Sequence, residues 1–195
     1  MTKKTTLKRK TKETNISISL KINGTGKHSM RTPVPFLNHM LETFCRHGFF
    51  NVNLSARGDV HVDDHHLVED AGITLGSAFA KLLGDKKGIR RFGHSVVPLD
   101  EALVLASVDI SGRPYLNYSL QPKLSRIKNF EVQLVEEFFR AFSVALGCNL
   151  HLVQLSGKNT HHIVEAGFKA FAKALDMATQ SEPRVRGVLS TKGTL

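Results

Sequence analysis

A chain of 195 residues with 41% hydrophobic content can bury a sizeable core as one domain or as two fused half-domains, and it is too apolar to be disordered. Cys45 and Cys148 form neither a CxxC pair nor a disulfide framework, so both are expected to be reduced and structural. No run reaches membrane-spanning length, and a formal net charge of +10 favours an anionic partner, either nucleic acid or a phosphorylated small molecule.

The first twelve residues hold Lys3, Lys4, Lys8, Arg9, Lys10 and Lys12 with no apolar h-region behind them, which points to a cytoplasmic protein whose leading lysines are solvated. In residues 14–22, Ile16, Ile18, Leu20 and Ile22 alternate with polar side chains as in a half-buried strand. Residues 23–35 are rich in Gly, Thr and Pro and read as a loop. A helix is predicted over 36–47, with His39 in its first turn and Gly48 as its stop. Residues 51–57 alternate as a strand, Gly58 turns, and a long helix opens at His65 and runs to about residue 83, ended by Gly84. Strands are predicted over 102–110 and 115–120 about a turn at 111–114, then a helix over 130–146 closed by Gly147. A strand over 149–155 and a helix from His161 to about 178 complete the order.

One motif occurs twice in this order. Asp63-Asp64-His65-His66-Leu67-Val68-Glu69-Asp70 and Asn159-Thr160-His161-His162-Ile163-Val164-Glu165-Ala166 are both His-His-x-x-Glu at the head of an amphipathic helix, so six strong metal ligands stand in two equivalent settings. On a helix His65 and Glu69 share a face, whereas His66 points about 100° away from His65. A single chelate needs only the His and Glu four apart; the adjacent His is best used by a different ion, which makes two metals per chain the natural count. A solvated helix start with chance histidines explains one copy but not two in matched surroundings.

Both halves thus read strand, helix, strand, motif helix. The step from His65 to His161 is 96 residues, and the steps from Asn51 to Asn149 and from Phe44 to Phe142 are both 98. Applied to His39, the step of 98 lands on Glu137, which becomes a further candidate ligand unless the Glu136-Glu137 pair is merely solvated. The expected architecture is one α+β catalytic chain formed by internal duplication, with helices on one face of mostly antiparallel sheets. Half-domain one covers about 12–97, half-domain two about 98–180, and a tail about 181–195.

Seven stretches in combination resemble the imidazoleglycerol-phosphate dehydratase family: Pro35-Phe36-Leu37-Asn38-His39-Met40-Leu41, the run from Gly58 to Asp70, Gly88-Ile89-Arg90-Arg91-Phe92-Gly93, Pro98-Leu99-Asp100-Glu101-Ala102, Ser111-Gly112-Arg113-Pro114-Tyr115, Gly157-Lys158-Asn159-Thr160-His161-His162 and Ser190-Thr191-Lys192-Gly193. The resemblance implies a duplicated ribosomal protein S5 domain 2-like fold. It implies one ion held by His39, His66, His161 and Glu165, and another held by His65, Glu69, His162 and residue 137. Many members carry His at that last position, where this chain has Glu137. Ligand type suits Mn²⁺ and admits Fe²⁺, Co²⁺ or Zn²⁺; the resemblance implies Mn²⁺, two per subunit, in sites shared between the subunits of a homo-24-mer. Arg91, Arg113, Lys169, Ser190, Thr191 and Lys192 would contact a phosphorylated substrate by charge-assisted hydrogen bonds, with His47 in the same site.

The implied reaction, a step of histidine biosynthesis, removes water from imidazole glycerol phosphate to give imidazole acetol phosphate. The proton sits on an unactivated carbon and hydroxide leaves poorly, so the expected device is a metal-held imidazolate whose ring electrons expel the hydroxyl, giving a diazafulvene-like intermediate with an acidified C–H. Glu13 is the candidate base, alongside Glu69 and Glu165 as carboxylates of the catalytic site. A nucleic-acid-binding protein would account for the charge but leave the His-His pairs unused. A binuclear metallohydrolase would use the same ligands but release inorganic phosphate. Neither nucleic acid nor a membrane is the expected partner.

Overall fold

The structure, a computed structural model, describes residues 4–195, so Lys3 lies outside the described residues. Two sheets of one plan carry the fold. The first half runs β1 (Lys4–Lys10), β2 (Thr14–Lys21), β3 (His28–Arg31), α1 (Pro35–His47), β4 (Asn51–Gly58) and α2 (His65–Leu83). The second runs β5 (Phe92–Leu99), β6 (Ala102–Asp109), β7 (Tyr115–Ser119), a small hairpin of β8 (Arg126–Ile127) and β9 (Phe130–Glu131), then α3 (Leu134–Leu146), β10 (Asn149–Ser156) and α4 (Thr160–Thr179). Strand order is β1-β2-β4-β3 in one sheet and β5-β6-β10-β7 in the other, the same arrangement strand for strand. In each, three strands pair antiparallel and the fourth joins parallel. The mostly antiparallel, duplicated α+β architecture is as expected.

Alternation explains which face is buried. Ile16, Ile18 and Leu20 of β2 and Val52, Leu54 and Ala56 of β4 are buried while their neighbours face outward. The helices cover that face and interlock across the halves: Phe44 of α1 stacks on Phe171 of α4 at 5.4 Å between ring centroids, and Phe79 of α2 meets Phe142 of α3 edge-on at 5.7 Å. Close approach is enforced by small residues on α2, since a Cβ at Gly76 would lie 2.5 Å from the carbonyl oxygen of Phe142. The two halves therefore share one hydrophobic core.

Besides the two short strands of the β8–β9 hairpin, three strands were not expected. β1 was read as solvated lead-in, yet it pairs with β2 along its whole length, with Thr5 buried and Arg9 Nε bound to Asp70 Oδ1 of α2 at 2.7 Å. β3 lies in the stretch read as a loop, and its pairing with β4 comes from the partner strand rather than from its own short, polar sequence. β5 carries Gly93 and Pro98, which hide its alternation, but it pairs with β6 from Phe92↔Asp109 to Leu99↔Ala102. A boundary at 97–98 would cut this strand, so sheet membership starts the second half at Phe92. α3 starts at Leu134, four residues later than expected, because Phe130–Glu131 is paired in the β8–β9 hairpin.

Both cysteines are buried, and burial pushes the Cys148 thiol up to about 12 and the Cys45 thiol higher still. Neither thiol is expected to react with iodoacetamide at pH 8 in the native protein. Mass spectrometry should show two alkylated cysteines only after unfolding, and labelling of the folded chain would contradict this packing. No helix among the described residues is long and apolar enough to cross a membrane.

Candidate active site

The second motif forms at the head of α4. Asn159 caps the helix, its side chain accepting from the backbone N–H of His161 at 2.9 Å and of His162 at 3.4 Å. One turn on, Glu165 comes under His161, with Nε2 of the ring 3.0 Å from Glu165 Oε2. His39, from the first turns of α1, brings its own Nε2 to 3.3 Å from the same oxygen. Ligand atoms of His39, His161 and Glu165 all lie within 4.8 Å of one another, the one such group among the described residues. Two imidazole nitrogens and a carboxylate so gathered fit a divalent transition-metal ion. Burial alone would push the Glu165 carboxyl up. The Lys169 ammonium at 2.8 Å, with its hydrogen bond and charge, and the bond to His161 outweigh this and hold it below its ordinary value.

The second rings of the two motifs point elsewhere and are held by carboxylates that were not among the candidates. His66 Nδ1 lies 3.0 Å from Asp59 Oδ2 and 3.9 Å from Glu13 Oε2. His162 Nδ1 lies 2.8 Å from Glu101 Oε2, while Glu101 Oε1 accepts from the backbone N–H of Asn159 at 2.7 Å and of Lys158 at 3.1 Å. The bond to His162, then those to the two amides, hold the Glu101 carboxyl at about 2. Correspondingly, the hydrogen bond to Glu101 raises His162, and that to Asp59 raises His66. A signal for Glu101 existed: it sits in the hairpin turn that corresponds to the turn holding Glu13.

His65 opens on the cleft that His39 and His161 also line, a cavity of about 730 Å³ walled in part by Phe36, Val62 and Phe130. Glu69 follows one turn below His65 on α2. Glu137 lies in the first turn of α3, half-buried. Leu37, Met40, Leu41, Phe44 and Cys45 of α1 match Val135, Phe138, Phe139, Phe142 and Ser143 of α3 in burial, so the step of 98 does place Glu137 where α1 has His39. Within one chain, however, His66, His65, Glu69, His162 and Glu137 stand outside the three-residue cluster. His47 ends α1; burial, then the charges of Lys169 and Lys173, lower its ring pKa.

Apart from Lys169, which pairs with Glu165, the cationic candidates gather at the other end of α4. The backbone N–H of Arg91 donates to the carbonyl of Ala178, roughly 25 Å along the helix from His161 at 1.5 Å per residue. Arg91 binds Asp109 through Nε at 2.7 Å and Nη2 at 3.0 Å, and its Nη1 donates to the carbonyl of Leu189 at 2.6 Å, which anchors the segment that carries Ser190, Thr191 and Lys192. Arg113 follows in the turn after β6, and Leu195 lies against Gly112 of the same turn. Arg91, Arg113 and residues 190–192 are thus neighbours, and all are remote from the motif histidines of their own chain.

Fold and site together define a duplicated α+β protein with a histidine–carboxylate cluster fitted to a metal at one end and a group of basic side chains at the other. The chain belongs to the imidazoleglycerol-phosphate dehydratase family, whose model matches residues 32–175. It is 55% identical over 195 residues, all of both chains, to the imidazoleglycerol-phosphate dehydratases of Geobacter metallireducens and Geobacter sulfurreducens. Among solved structures it is similar to that of the Staphylococcus aureus enzyme, with a TM-score of 0.82 and 39% identity over 92% of this chain and 99% of that one. The Pyrococcus furiosus enzyme, solved in complex with (S)-C348, gives a TM-score of 0.85 and 40% identity over 97% of this chain and 100% of its own.

Proposed function

We propose that the chain is a hydro-lyase that dehydrates imidazole glycerol phosphate to imidazole acetol phosphate in histidine biosynthesis, in the cytoplasm. The observation that carries this reading is the convergence of His39, His161 and Glu165 on one point in a chain of this family. We assign His39, His66, His161 and Glu165 to one Mn²⁺ and His65, Glu69, His162 and Glu137 to a second. When bound, such an ion would supply a Lewis acid for the substrate's imidazole ring. Arg91, Arg113, Ser190, Thr191 and Lys192 would hold the phosphate, Lys169 fixes Glu165, and Glu13 takes the proton from carbon. Loss of that proton and of the neighbouring hydroxyl as water leaves an enol, which ketonises to the product.

A substrate with three carbons between ring and phosphate cannot bridge the length of α4. One chain's histidines therefore work with another chain's cations, which supports sites shared between the subunits of a closed assembly, the homo-24-mer that the family resemblance implies. The decisive experiment incubates Mn²⁺-loaded protein with imidazole glycerol phosphate and measures keto product and inorganic phosphate separately. Keto product without phosphate supports the lyase; phosphate release would instead identify a metallohydrolase.

Glu137 gives a narrower check. Glu137→Gln should lower Mn²⁺ occupancy and activity, because it exchanges an anionic ligand for a weak amide, whereas Glu137→His should keep much of both. If metal analysis finds Gln equal to the parent, Glu137 is only a half-buried helix charge.

A further inference from the structure

The two hairpins that approach the motif helices are equivalent in register but not in chemistry. Lys10↔Asn15 ends the β1–β2 ladder, and the pair in matching register in β5–β6 is Pro98↔Leu103, one short of the closing pair Leu99↔Ala102, so a step of 88 residues sets Glu101 opposite Glu13. By the step of 98 that relates β4 to β10, Asp59 corresponds to Gly157. Gly157 has φ 135°, and a Cβ there would lie 2.8 Å from Ile163 Cγ1, so this position supplies no carboxylate. In the second half Glu101 itself takes the ring, at 2.8 Å from His162 Nδ1. In the first half Asp59 takes the ring at 3.0 Å, and Glu13 is left at 3.9 Å, beyond hydrogen-bond reach and 54% exposed.

We propose that Glu101 and Asp59 are the positioning residues of His162 and His66, and that the use of Asp59 in one half alone releases Glu13 for chemistry. The proposal rests on the metal assignment made above. A carboxylate only accepts, so each ring must carry its proton on Nδ1, which leaves Nε2 bare for a metal. His39 and His161 also converge through Nε2, so all four rings would present the same nitrogen. Glu101 does more than orient the ring, because its other oxygen holds the amides of Lys158 and Asn159 just before α4.

That double duty provides the test. In Glu101→Gln the amide oxygen is required by the two backbone N–H groups, so its NH₂ faces the ring. Nδ1 must then accept, and the proton moves to Nε2, where it blocks ligation. The full-length protein, stripped of metal and titrated with Mn²⁺ by electron paramagnetic resonance, should show the parent binding tightly and Glu101→Gln binding about 10–100-fold more weakly. Its metal-free melting temperature should stay near the parent's, because the backbone bonds survive. At saturating Mn²⁺ its kcat should recover toward the parent value, since Glu101 is assigned to the ring and to two backbone amides, not to substrate. Asp59→Asn should lose only a few-fold, because Asp59 Oδ1 has no partner and the amide can turn to leave its oxygen on His66. Parent-like Mn²⁺ affinity in Glu101→Gln overturns the proposal alone, as does a kcat that stays low with Mn²⁺ saturating. A parent that binds no Mn²⁺ overturns the metal assignment with it.

Discussion

Glu13→Gln is expected to lower kcat by about 10²–10⁴-fold, the ordinary contribution of a positioned general base, while Mn²⁺ content and assembly stay near the parent's. The expectation follows from where Glu13 stands. It occupies the turn between β1 and β2, is half-exposed, and lies 3.9 Å from a ring that Asp59 already holds. Removing its charge therefore leaves His66 in place and takes away only the group that accepts the proton. Arg113→Gln should differ in kind, raising KM more than it lowers kcat, because a phosphate contact acts in ground state and transition state alike. Initial rates over a range of substrate, with metal analysis and sedimentation on the same samples, separate the two. If Glu13→Gln sheds its metal or keeps kcat within a few-fold, the base is another group.

His66→Ala and His162→Ala should each remove metal, weaken assembly and cut activity by about a thousandfold, as loss of several kcal/mol of Lewis-acid stabilisation requires. Neither ring belongs to the cluster closed within one chain, yet each is fixed by its own carboxylate with Nε2 left unbonded to it. Rings so prepared have their use at a neighbour's ligands. If sites are shared, a ligand lost from one motif also loosens the contact between chains, and the two substitutions should look alike. A variant of either residue with full metal, full assembly and full activity would refute the crossed arrangement.

The motif helices and the buried strands were legible because their signals are local: alternation in β2 and β4, i,i+4 spacing in α2 and α4, and glycine stops at Gly84 and Gly147. The duplication was legible because it repeats those local signals. β1, β3 and β5 were not, since each is an edge strand whose state is decided by a partner distant in sequence. Asp59 and Glu101 escaped for the same reason. His162 and Glu101 are 61 positions apart, and only the β5–β6 hairpin and the turn before α4 bring them together. The clustering of Arg91 with residues 189–192 also depends on a fold-level contact, the end of α4 lying beside β5.

The length of α4 between the histidines and the cations has a consequence for mixtures of chains. A chain damaged only at its basic end, such as Arg113→Ala, still offers intact histidines, and a chain damaged only at its histidine end, such as His161→Ala, still offers an intact phosphate grip. Each works poorly by itself when substrate is scarce. Dissociated, combined in equal amounts and reassembled, the two should rescue one another, because chance places an intact end of each kind at about one site in four when every site draws on two chains. Two genes that each encode a crippled enzyme would then support better growth without histidine when expressed together than either does alone.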